Sequence, residues 1–107
     1  MSVSAPFTPL GNTVTISATT SASTPAQVPS RTIGANQYRV INASGNIAFL
    51  AIASTAAQAT TNAGSIATMI PLLGGTDEIL SFLPNAYFAA NTATGTSTIY
   101  ITPGDGD

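Results

Sequence analysis

Gln37-Tyr38-Arg39-Val40-Ile41-Asn42, the link Ala43-Ser44-Gly45-Asn46, and Ile47-Ala48-Phe49-Leu50-Ala51-Ile52-Ala53 form the stretch whose reading decides the fold. Both runs are dense in β-branched and aromatic side chains, which suit a pleated, half-buried surface better than a helix. The link holds Gly and Asn, the residues that tolerate the backbone angles of tight turns, so the stretch predicts a β-hairpin. Its second run is apolar at nearly every position. That predicts a central strand covered on both faces, by a second sheet or by a partner subunit.

Working toward the N-terminus, Thr13-Val14-Thr15-Ile16-Ser17-Ala18-Thr19 places apolar residues on even positions and hydroxyls on odd ones, the period-two signature of a half-buried strand. Pro25 and Pro29 bracket Ala26-Gln27-Val28 and restrict it to a short edge segment, because proline cannot donate to a central ladder. Residues 1–11 carry Pro6 and Pro9 around Phe7 and Leu10 and read as an extended arm. Its apolar side chains need cover, either from their own domain or from a neighbouring chain.

Toward the C-terminus, Ser54 to Ser65 is rich in Ala, Thr, Asn and Gln. Its apolar side chains are too small to hold a helix on a core, so a loop with about one helical turn is expected. Ile66 to Ile70 reads as a short strand, Pro71 to Gly75 as a turn, and Asp77 to Leu83 as a strand ending at Pro84. Ala86 to Asn91 and Thr96 to Thr102 predict a second hairpin around Gly95, and 104–107 a flexible acidic tail. Short strands at regular spacing with Gly, Pro and Asn turns define the all-β class: an antiparallel β-sandwich or jelly-roll-like small barrel of about seven short strands, spanning 12–103, with an extended N-terminal arm.

Composition limits the chemistry. The 107 residues contain no Cys, no His and no Lys, and the two cations are Arg31 and Arg39. Thiolate and imidazole metal sites, imidazole general bases and Schiff-base lysines are therefore missing from the toolkit. A formal charge of −2 with two arginines cannot supply the phosphate neutralisation that nucleic-acid binding needs. The expectation is no catalytic residue, no cofactor, no metal and no nucleic-acid partner. The start Met1-Ser2-Val3-Ser4 lacks the basic region and apolar core of a signal peptide, and no run of about 20 apolar residues spans a membrane.

Asp77 and Glu78 are adjacent, so a strand sends them to opposite faces and they cannot act as a facing carboxylate pair. Asp105 and Asp107 lack the ligand series of a calcium loop. Asn42-Ala43-Ser44 matches a glycosylation sequon by composition alone, and the Thr-x-Thr steps at Thr13, Thr94 and Thr96 lack the internal repeat of an ice-binding array. Only 6% of residues are charged, against a globular average near 25%. A surface so poor in charge suggests contact with other protein over much of its area. Pro6, Phe7, Pro9 and Leu10 of the arm, with Arg31 and Arg39, are the candidate interface residues. A carbohydrate- or receptor-binding module is the alternative, with Tyr38, Tyr87 and Tyr100 as its candidate platforms.

Met69-Ile70-Pro71-Leu72-Leu73-Gly74-Gly75-Thr76-Asp77-Glu78-Ile79-Leu80-Ser81-Phe82, then Asn85-Ala86-Tyr87-Phe88-Ala89-Ala90 and Gly95-Thr96-Ser97-Thr98-Ile99-Tyr100-Ile101-Thr102-Pro103-Gly104-Asp105-Gly106, resembles a pattern of small structural proteins of tailed-bacteriophage virions. Tyr38 to Ala53 is similar as well. Ile70 stands before Pro71 where that pattern has methionine. The resemblance implies a β-sandwich capsid decoration (cement) protein, or a related head, neck or tail component. It also implies residence on the capsid surface, the major capsid protein as partner, and self-association, as a trimer at threefold lattice positions.

Overall fold

Alternation of apolar and hydroxyl side chains gives most strands here one face for a core and one for solvent. A computed structural model describes residues 8–9, 11–21, 23–29, 37–64, 68–82 and 85–105. The elements are β1 (Thr8–Pro9), β2 (Val14–Ala18), β3 (Ala26–Gln27), β4 (Gln37–Asn42), β5 (Ala48–Ala53), α1 (Ala56–Asn62), β6 (Ile70–Leu72), β7 (Asp77–Ser81), β8 (Tyr87–Thr92) and β9 (Ser97–Asp105).

Two antiparallel sheets stack into a sandwich. One runs β1-β9-β4-β7, with β2 beside β1 on the same edge of β9, and the other runs β3-β8-β5-β6. β2 pairs β9, β3 pairs β8, β4 pairs β7 and β5 pairs β6. The chain is therefore one long antiparallel ribbon, folded back on itself at the β5–β6 connection and then rolled. That is the jelly-roll strand order, and it establishes the all-β sandwich expected from the sequence.

Rolling the ribbon overturns both predicted hairpins. β4 lies in the first sheet and β5 in the second; β8 lies in the second and β9 in the first. Each short link is an arch crossing the sandwich, and the two arches lock side by side. The buried Asn42 amide donates to the carbonyls of Asn46 at 2.9 Å and Leu72 at 3.0 Å, and its oxygen accepts from the Ser44 N–H at 3.3 Å. Ser44 Oγ reaches Ser97 Oγ at 2.8 Å, and Asn46 Nδ2 donates to the Thr96 carbonyl at 2.9 Å. A Cβ on Gly74 would lie 2.7 Å from the Ser44 carbonyl oxygen, so glycine lets the β6–β7 turn press against the first arch.

The core lies between the sheets. Tyr38, Val40, Ile99 and Ile101 face Leu50, Leu72, Phe88 and Val28, all of them buried. Each such side chain contributes roughly 1.5–3 kcal/mol of burial. The Tyr38 and Phe88 rings meet edge to face at 5.0 Å, and the Tyr38 hydroxyl accepts from the Ala86 N–H at 3.1 Å, tying the first sheet to the second. Burial pushes that hydroxyl's pKa up.

β5 is central and covered on both faces, as its composition predicts. Ala48 and Leu50 join the inter-sheet core, while Ala51 and Ala53 pack with Ala89 against Ala59 and Ala63. The cover is α1, where a loop was expected. Thr55 caps it by accepting from the Gln58 N–H at 3.2 Å, and small side chains on both surfaces are what let helix and sheet approach closely. Asn62 then donates to the Ile52 carbonyl and Asn91 to the Ala63 carbonyl, fastening the helix end.

Two further expectations change. Pro71 sits inside β6, not in a turn; it faces Phe49 in a non-hydrogen-bonded pair, so its missing N–H points to the free edge. Gly104 and Asp105 belong to β9 and pair with Pro9 and Thr8, so the tail expected from 104 starts no earlier than 106. Among the described residues no helix is long and apolar enough to cross a membrane.

Candidate functional site

The two outer faces of the sandwich differ. α1 covers part of the second sheet's outer face, whereas no described element lies over the first sheet's. Alternation sets what that open face displays. Because Ile99 and Ile101 point inward, Thr98, Tyr100 and Thr102 point out. Cross-strand register then aligns Thr15, Tyr100, Ile41 and Asp77 in one row, and Thr102, Arg39 and Ile79 in the next. Thr13 Oγ and Thr102 Oγ share a 2.7 Å hydrogen bond at its margin.

Among the described residues the face carries one ion pair. Arg39 Nε donates to both Asp77 carboxylate oxygens, at 3.1 and 3.2 Å, and its NH2 group donates to Oδ2 at 2.6 Å. These hydrogen bonds hold the Asp77 carboxyl below the usual carboxylate range. The pair is exposed, so its worth is geometric: it cancels the two charges within the face and leaves a neutral surface of hydroxyls, Tyr100 and Ile79. Ile79 is 54% exposed and Tyr100 39%, so both leave large apolar area open on this face.

Of the predicted interface residues, the structure places Arg39 on this face and Pro9, exposed, at the end of β1 on the edge of the same sheet. They flank β9 from opposite sides, Pro9 opposite Gly104 and Arg39 opposite Thr102. Pro6, Phe7, Leu10 and Arg31 lie outside the described residues. The three tyrosines do not converge: Tyr38 is core, Tyr87 packs in the alanine-rich cluster beneath α1, and Tyr100 alone is exposed on the open face. Ile79 and Ile41 escaped the sequence reading. The signal was present in the alternation of Asp77 to Phe82, which sets Leu80 and Phe82 inward and Ile79 outward.

A second apolar patch extends the outer face of the other sheet beyond α1. Ile47 and Leu73 are exposed there, next to half-buried Phe49 and exposed Pro71. Among the described residues, neither carboxylate of β7 is set beside a hydroxyl as its base. Asp77 is engaged by Arg39, and Glu78 lies on the other side of the strand.

No family model matches the chain, and neither a curated protein nor a solved structure does.

Proposed function

We propose that the chain is a structural protein of a tailed-phage virion, a decoration protein that binds the outside of the head and bridges neighbouring major capsid protein subunits. The observation that carries this reading is the open outer face of the first sheet: hydroxyl-rich, with Ile79 and Tyr100 exposed and, among the described residues, a single ion pair closed on itself. Such a face suits a flat protein partner better than a charged or concave ligand. The resemblance of residues 69–106 to phage structural proteins supports the same reading, and jelly rolls are a recurrent architecture of capsid and lectin domains. Fold likeness alone assigns no function, so the weight rests on the surface.

The mechanism is mechanical. Bridging adds contact area across coat-subunit boundaries, and a stable contact needs about 1,600 Å² buried in total. Several copies held in one oligomer reach useful strength through avidity even when each contact is weak. The chain performs no bond-making step in this reading.

The test is co-sedimentation of the purified protein with emptied, expanded heads of the phage that encodes it, followed by cryo-electron microscopy. Ordered density on the shell, lost with Tyr100→Glu, is the expected result. A protein that ignores the heads, or that maps to the tail, refutes the decoration role.

A further inference from the structure

Five strands border the two sheets, and they differ in what they leave open. β1 and β3 are two residues long each, β1 ending in Pro9, and Pro71 blocks the free edge of β6. β2 turns Thr15 and Ser17 outward, with no large apolar side chain. β7 is different: five residues, no proline, and every residue but Leu80 exposed.

The ladder fixes which β7 groups are free. Asn42 sends its N–H and C=O toward Thr76 and Gly75, so by alternation Val40 and Tyr38 bond Glu78 and Leu80. The N–H and C=O groups of Asp77, Ile79 and Ser81 then point away from the sheet, and no described strand pairs with them.

We propose that β7 is a self-association edge: two copies pair β7 with β7, antiparallel, about a two-fold axis at Ile79, fusing their first sheets into one continuous sheet. The register is self-complementary. Ile79 meets Ile79 of the second copy in a hydrogen-bonded pair, and Asp77 meets Ser81 on each side, so every outward group of the strand finds a partner. Exposed strand edges normally carry charge to prevent this pairing. Here Arg39 already neutralises Asp77, and Glu78 falls opposite Leu80, with the two Glu78 side chains on a diagonal roughly 7–8 Å apart. Their residual repulsion makes the pairing tighten as salt is added. The two exposed Ile79 side chains cover each other on the open face. The inference holds whether or not the chain decorates a capsid, and it gives a dimer in place of the trimer expected from threefold lattice positions.

Sedimentation equilibrium of the free protein, without capsids, tests it. Wild type is expected at twice the chain mass, with affinity rising in salt. Ile79→Pro removes only an outward N–H, so the fold should survive while the dimer dissociation constant rises by about tenfold or more. Ile79→Lys should do the same by another route, which keeps the test decisive should the proline variant lose cooperative unfolding. The chain has no cysteine, so Ile79→Cys gives a clean cross-linking probe: Cα atoms in such a pair lie about 5.5 Å apart, within disulfide reach. Oxidation should yield covalent dimer from Ile79→Cys and none from Ser17→Cys. A monomer at the highest soluble concentration, an oligomer indifferent to both Ile79→Pro and Ile79→Lys, or cross-linking through Ser17→Cys instead would overturn the proposal.

Discussion

Replacing Asn42 by Asp changes one atom of the side chain and tests whether the locked arches hold the sandwich together. In the native protein the amide nitrogen donates to two carbonyl oxygens, at 2.9 and 3.0 Å, from a fully buried position. The carboxylate would set an oxygen against both carbonyls, losing two hydrogen bonds and confining a charge without a counterion. Two bonds at about 1 kcal/mol each, plus the penalty for a desolvated anion, give roughly 3–5 kcal/mol at neutral pH. A domain of this size is stable by about 5–15 kcal/mol, so the variant should fold but be marginal. Asn42→Ala, which loses the bonds without adding charge, should cost about 2–3 kcal/mol. The assay is urea unfolding followed by circular dichroism, with the midpoint for Asn42→Asp falling by roughly 1–3 M. The sign of its pH dependence is set by burial: the folded-state pKa rises above the unfolded value near 3.9, so the penalty grows above that value and is relieved as pH falls toward it. An Asn42→Asp protein as stable as wild type at pH 7, or one whose deficit ignores pH between 4 and 7, would refute the account of the corner.

Tyr38→Phe keeps the ring contact with Phe88 but strands the buried Ala86 N–H, and thermal unfolding should show a loss of about 1–3 kcal/mol. Ala59→Leu forces bulk between α1 and the alanines of β5 and β8; overpacking of this kind costs about 1–3 kcal/mol, and hydrogen exchange should show α1 losing protection before the sheets do. Gly74→Ala drives a methyl into the Ser44–Gly45 backbone and should lower the melting temperature, whereas alanine at Gly45, where a Cβ meets nothing within 4 Å, should be tolerated far better.

Which way side chains face was legible in part: alternation puts Val14, Ile16 and Ala18 on the core side, whereas around Tyr100, between Ile99 and Ile101, either face fits a core by pattern alone. Which strand pairs with which was not. A short Gly- and Asn-containing link between two β runs fits a hairpin and an arch equally well. The choice here is made by residues distant in the chain: Leu72 accepting from Asn42, Ser97 meeting Ser44, Thr96 accepting from Asn46. α1 was missed for a related reason. Small apolar side chains offer little area to hold a helix, yet Ala59 and Ala63 find Ala51, Ala53 and Ala89 across from them, and close approach compensates for small area. The open face was half visible. The outward position of Tyr100 follows from its isoleucine neighbours once the core side is known, but the alignment of Arg39 with Asp77 and Ile79 depends on a register no local pattern encodes.

The rolled ribbon also governs when the molecule can form during synthesis. β9 is the keystone of its sheet, gripping β1 and β2 on one flank and β4 on the other, with Thr8 opposite Asp105. Until that strand has left the ribosome, β1 and β2 have nothing to join and β4 holds only β7. The nascent chain must wait, with half its sandwich exposed, for a strand almost a hundred residues downstream, and loop closure over that span places its folding among the slow, non-local class.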